Sequence, residues 1–121
     1  GPSYAAQAAR AIAEYPDTPV LVDHMAEPQS GTPEEYEDVL GLTRFPNVYM
    51  KMSGLTHFSR QPEPYLDTKP LVTRVAEAFG PDRFVWSSGS PTLVDTLLDR
   101  WSDEDRAKVK GEALAKLAGF A

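Results

Sequence analysis

Three short apolar runs, each arriving after a segment patterned for a helix, limit the folds open to this 121-residue chain more than any other feature. They are PVLVD at 19–23, NVYMKM at 47–52 and RFVWSS at 83–88. Strands that alternate with helices require right-handed crossovers and a parallel sheet. The lack of polar alternation in PVLVD predicts a strand covered on both faces. Ser3 is expected to cap the first helix, with Tyr4, Ala8, Ile12 and Tyr15 on its inner face and Pro16 as its stop. Thr32-Pro33-Glu34-Glu35 combines a capping box with proline at the first helical position, opening a helix that carries Tyr36, Val39, Leu40 and Thr43. Asp67 is expected to cap a third helix, with Leu71, Val72, Val75 and Phe79 inward and Gly80-Pro81 as its stop. Leu93, Val94, Leu97, Leu98 and Trp101 mark a fourth. Ser102 and Asp105 open the last, with Val109, Ala113, Leu114 and Leu117 inward and Gly119 at its end.

The predicted order is thus α-β-α-β-α-β-α-α, a parallel βαβαβα unit of α/β class. Three parallel strands leave two open edges of unpaired backbone groups. The chain therefore folds as a small three-layer domain or forms one part of something larger. Gly1-Pro2 reads as the remnant of a cleaved tag, leaving 3–121 as a single α/β domain.

Composition removes several partners. A formal net charge of −6 offers no basic stripe to a phosphate backbone, so nucleic acid is not expected. No apolar run reaches the roughly 18 residues of a membrane span. Without cysteine there are no disulfides or thiolate metal sites, and a cytoplasmic setting is the default expectation.

In parallel α/β sheets the chemistry gathers beyond the carboxyl ends of the strands. Those ends hold Asp23, His24 and Glu27, then Lys51, Ser53, His57 and Arg60, then the turn WSSGSP. Side chains of neighbouring strand residues point to opposite faces, so Asp23 and His24 are not expected to share a site. Imidazole suits His24 to metal ligation or general-base work, but a hydrogen-bonded strand-end histidine has the same signature. Lys51 reads either as a cation for an anionic substrate or as a lysine reaching back to solvent. His57 and Arg60 suit a carboxylate, or are simply solvated. Ser88 lacks the G-x-S-x-G context of a nucleophile elbow. Two histidines at no tight spacing argue against a complete metal site within the chain.

Taken together, YPDTPVLVDHMAEP, FPNVYMKMSGL, FGPDRFVWSSGSP and SDEDRAKVKGEALAKLAGF resemble the C-terminal half of the amidohydrolase-2 family of TIM-barrel hydrolases, and within it the lactonase branch. The resemblance implies a partial barrel of about three strands, His24 as a catalytic residue facing the site, a K-[LIM]-S-G motif over Lys51 to Gly54, and in the loop after it, where His57 and Arg60 stand, an arginine that often holds a substrate carboxylate; Lys51, His57 and Arg60 are thus the expected substrate-binding residues. It implies a lactone or small anionic substrate. Where a member binds a divalent metal such as zinc, His24 would be a ligand. No cofactor is otherwise expected. The family reads W-G-S-D-[WFY]-P at its last strand, where the aspartate activates the hydrolytic water. Here Gly89 stands in place of that base. A whole barrel has eight strands and about 250 residues, so a complementary half or a second copy is an expected partner, and activity of this chain alone is expected to be weak or absent.

Overall fold

The computed structural model describes residues 1–112 together with Ala115. Strands β1 (Val20–Val22), β2 (Val48–Met52) and β3 (Phe84–Trp86) form one parallel sheet in the order β1-β2-β3. Its register pairs Val22 with Met50 and Met50 with Phe84. Helices α1 (Ala5–Glu14), α2 (Pro33–Leu40), α3 (Lys69–Phe79), α4 (Thr92–Leu97) and α5 (Asp103–Ala107) complete the layer. The fold is a segment of a TIM barrel, with helices outside a parallel sheet, and the sequence-based fold class holds.

The sheet's two faces have different fates because strand side chains alternate. Val48, Met50, Met52 and Phe84 are buried against Val39, Val72, Val75 and Phe79 on the helical side. On the opposite face lie Leu21, Tyr49, Lys51 and Val85, paired across the strands as Leu21 with Tyr49 and Lys51 with Val85. Val85 is buried there, but Leu21 is 38% exposed. β1 is therefore not covered on both faces, contrary to the expectation from its apolar run. The face is thus covered at β3 and open at β1 among the described residues.

Local signals were read with mixed success, for identifiable reasons. The capping box at Thr32 forms, with Glu35 N–H donating to Thr32 Oγ1 at 3.1 Å and Thr32 N–H donating to Glu35 Oε1 at 2.9 Å. Ser102 Oγ accepts from Asp105 N–H at 3.1 Å. Ser3 does not cap α1, because a 3-10 turn over Pro2–Tyr4 precedes the helix. The buried stripe of α1 is Ala5, Ala9 and Ile12, while Tyr4 and Tyr15 are exposed. Asp67 does not cap α3 either. A 3-10 turn, Leu66–Thr68, intervenes, and the carboxylate accepts instead from Ser59 Oγ at 2.6 Å and Arg60 N–H at 2.7 Å. Ala113, Leu114, Leu117 and Gly119 lie outside the described residues.

Two clasps hold the ends of the sheet. At the amino end, Arg83 donates to the carbonyls of Phe45 at 2.7 Å and Thr43 at 3.0 Å, tying β3 to the turn before β2. At the carboxyl end, the buried Tyr36 hydroxyl of α2 donates to the Met25 carbonyl at 2.8 Å. Burial pushes the Tyr36 phenol above its ordinary value, with only partial relief from Arg74. Because the raised value belongs to the folded state, this contribution is intact below about pH 10 and is lost as pH rises beyond it. We expect Tyr36→Phe to cost about 1 kcal/mol at neutral pH. It should also flatten the alkaline fall in stability by up to about 1.4 kcal/mol per pH unit. Urea unfolding from pH 7 to 11 checks both.

Candidate active site at the carboxyl edge of the sheet

Directly after β1 the chain enters an uncommon conformation. His24, Met25, Ala26 and Glu27 have φ of 51°, 54°, 61° and 50°, so four consecutive non-glycine residues lie in the left-handed region. Each such residue costs roughly 1–2 kcal/mol relative to right-handed backbone. Strain of this kind persists only where surrounding contacts over-determine it, and it gathers at functional sites. Here the contacts are explicit. The Met25 side chain is wholly buried, and its carbonyl is held by Tyr36. At the head of the turn, Ser53 Oγ accepts from the His24 backbone N–H at 3.2 Å and lies 2.8 Å from its Nδ1.

Gly54 makes that approach feasible. Its φ is +66°, and a Cβ there would sit 2.8 Å from Cβ and Cγ of His24. The S-G pair following β2 is thus a seat for the imidazole: serine bonds the ring and glycine leaves room for it. Sequence reading placed Ser53 at a strand end without a role. The signal that could have found it is the pairing of the two strands, whose register continued past Val22 sets residue 52 opposite residue 24 and so residue 53 one position away.

His24 reaches a cavity of about 210 Å³ that it shares with Gly54, His57, Tyr65, Ser88 and Gly89. The His24 and His57 rings meet edge to face, with centroids 5.2 Å apart. Glu27 Oε1 stands 4.0 Å from His57 Nδ1. Of the sequence candidates, then, His24, His57 and the Gly89 position come together. Lys51 and Arg60 do not line this cavity. Lys51 Nζ pairs with Asp23 Oδ1 at 2.8 Å on the open sheet face. The hydrogen bond from Lys51 holds the Asp23 carboxyl below its ordinary range. Arg60 is exposed, and its backbone N–H is bound to Asp67. The alternation argument that set Asp23 against His24 fails in its premise, because the strand ends at Val22 and the left-handed turn re-aims the histidine.

At the third strand end Gly89 has φ +82°, and a Cβ there would lie 2.9 Å from Leu93 Cδ1. No carboxylate lines the cavity. Among the described residues, no three histidine, cysteine or carboxylate side chains are grouped so as to hold a metal ion.

A parallel α/β sheet with His24, Ser53, Gly54, Ser88 and Gly89 beyond the carboxyl ends of its strands is the architecture of a barrel segment. Residues 2–119 match the Amidohydrolase family, Amidohydro_2, and the chain belongs to it. It is 36% identical over 81 residues to L-fucono-1,5-lactonase of Burkholderia ambifaria, a match covering 64% of this chain and 28% of that protein. It is 29% identical over 76 residues to 4-sulfomuconolactone hydrolase of Hydrogenophaga intermedia, covering 60% of this chain and 25% of the relative. The matches thus span roughly a quarter of those curated relatives. Among solved structures, Amidohydrolase 2 from Bifidobacterium longum subsp. infantis superimposes with a TM-score of 0.64 at 24% identity, over 93% of this chain and 44% of that one. An apo crystal structure of an Agrobacterium tumefaciens protein gives 0.63 at 21% identity, over 90% and 47%. At such identities the structural likeness concerns the fold.

Gly54→Ala tests the seat of the imidazole. The left-handed backbone and the contact with His24 should together cost about 2 kcal/mol or more. Urea unfolding reads the loss, and a change in the His24 ring signals in NMR spectra reads the displacement.

Proposed function

We propose that this chain carries part of a lactone-hydrolase site that still binds small lactone or anionic ligands but turns them over weakly or not at all. One observation carries the reading: Gly89 lines the cavity shared by His24 and His57, and the resemblance to W-G-S-D-[WFY]-P aligns this glycine with the family's base. Lactone hydrolysis forms a bond from water oxygen to the carbonyl carbon and breaks the ring C–O bond. The water must surrender a proton as it attacks, and the leaving ring oxygen must gain one. His24, His57, Tyr65 and Ser88 offer hydrogen-bonding groups to the substrate oxygens, but among the described residues no carboxylate lines the cavity to take the proton, and Glu27 stands behind His57. The lactones in the names of both curated relatives support the substrate class.

A second reading, completion by a complementary half or a second copy, is favoured by the exposed Leu21 on the open sheet face. β1 and β3 are also edge strands among the described residues.

Against a sugar 1,5-lactone in a pH-indicator assay, the chain should match the buffer rate. Gly89→Asp should raise hydrolysis by about 10²–10⁴-fold, the usual worth of a positioned general base. His24→Ala in that background should remove the gain. Hydrolysis by the unaltered chain well above buffer, abolished by His24→Ala, would show that turnover needs no carboxylate at position 89. For the second reading, light scattering should give a molar mass at least double the 13.3 kDa of one chain. A monomer at all concentrations would count against self-completion.

A further inference from the structure

The hydrogen bonds around Ser53 determine more than the position of His24. Ser53 is 2% exposed, and both partners of its Oγ belong to one residue: the backbone N–H of His24 at 3.2 Å and Nδ1 of the same residue at 2.8 Å. A hydroxyl has one proton to donate and two lone pairs. The His24 N–H can only donate, so it occupies a lone pair. Among the described residues no carbonyl or carboxylate accepts the Ser53 proton. A buried hydroxyl that leaves its proton unpaired forfeits the hydrogen bond it would make in water. Its proton therefore goes to Nδ1. A neutral imidazole that accepts at Nδ1 carries its hydrogen on Nε2.

We infer that Ser53 is a positioning residue that locks His24 in the Nε2–H tautomer, so that the ring meets its ligand as a hydrogen-bond donor to a carbonyl or carboxylate oxygen. The role on the ligand rests on the cavity reading above; the tautomer lock does not. In this state His24 is not the proton acceptor for water. It polarises the carbonyl that water attacks, and the acceptor must come from elsewhere. That division of labour agrees with a carboxylate being needed opposite it. The left-handed turn contributes as well: it carries the backbone N–H and the ring of one residue to the same buried oxygen, so the Ser53 proton has a single destination.

The test is ¹⁵N NMR of the imidazole in the unaltered chain, at a pH where the ring is neutral. Long-range ¹H–¹⁵N correlations should show the protonated nitrogen at Nε2. In Ser53→Ala the two tautomers should mix. A dominant Nδ1–H form in the unaltered chain, or an unchanged tautomer in Ser53→Ala, would overturn the lock. The first measurement needs no variant, so poor folding of Ser53→Ala does not shield the inference. The cavity reading is tested separately with 2-piperidone, a cyclic amide whose carbonyl accepts hydrogen bonds and resists hydrolysis. It should shift the His24 Nε2–H resonance. Affinity should fall about tenfold in His24→Ala, and His24→Gln, which keeps an N–H donor at similar reach, should restore most of it. An Nε2–H tautomer with no response to 2-piperidone would uphold the lock and reject the cavity as the ligand site. Equal losses in the Ala and Gln variants would reject the donor role.

Discussion

The contact between Ser53 and His24 joins the carboxyl ends of β1 and β2 across 29 residues of sequence and fixes the imidazole that lines the cavity. Parallel pairing brings residue 53 to within one register position of residue 24, but pairing alone would leave the chain free to continue extended past Val22. A buried hydroxyl that accepts the His24 N–H draws the backbone away from the strand direction at that point. Four left-handed residues follow, with a nominal cost of several kcal/mol. Separate groups offset it: the Tyr36 hydroxyl on Met25, the buried Met25 side chain, and the missing side chain at Gly54. They come from α2 and from the turn after β2, so the conformation of one short loop depends on the packing of the whole half-layer.

The fold was largely legible because it is written in periodicity. The apolar runs at 20–22, 48–52 and 84–86 and the stripes of α2, α3 and α4 each carry their own signal, and the parallel sheet follows from their order. Caps were legible where two side chains bond reciprocally, as at Thr32 and Glu35. They were misread at Ser3 and Asp67, where a 3-10 turn intervenes and the polar side chain finds other work. The coverage of β1 was misread for a different reason. Apolar content tells which side chains can be buried, whereas Leu21 is left 38% exposed among the described residues.

The site was legible as a location and only partly as a constellation. His24, His57 and Gly89 could be gathered from the rule that chemistry collects at the carboxyl ends of strands, and the cavity holds all three. Lys51 could not be placed this way. Its register opposite Val85 puts it on the open face, and Asp23, one residue past the end of β1, falls opposite it in the continued β1–β2 register, within reach of its ammonium. Ser53 was missed because its importance lies in the identity of its two partners, which only the three-dimensional turn reveals.

What separates a binding site from a catalytic one here is narrow. The elements that orient His24 are interior and mutually dependent, whereas the group in doubt is one side chain at position 89, on the surface. The backbone does not forbid a carboxylate there, since aspartate is among the residues that tolerate positive φ. The nearest obstacle, Leu93 Cδ1, is the end of a flexible side chain. The histidine seat therefore does not depend on the presence of a base. If His24 is held as a donor, as its bonds to Ser53 imply, that seat alone can polarise a carbonyl but cannot deprotonate water. Binding and turnover are then physically separable properties of this layer, and Gly89 lies on the boundary between them.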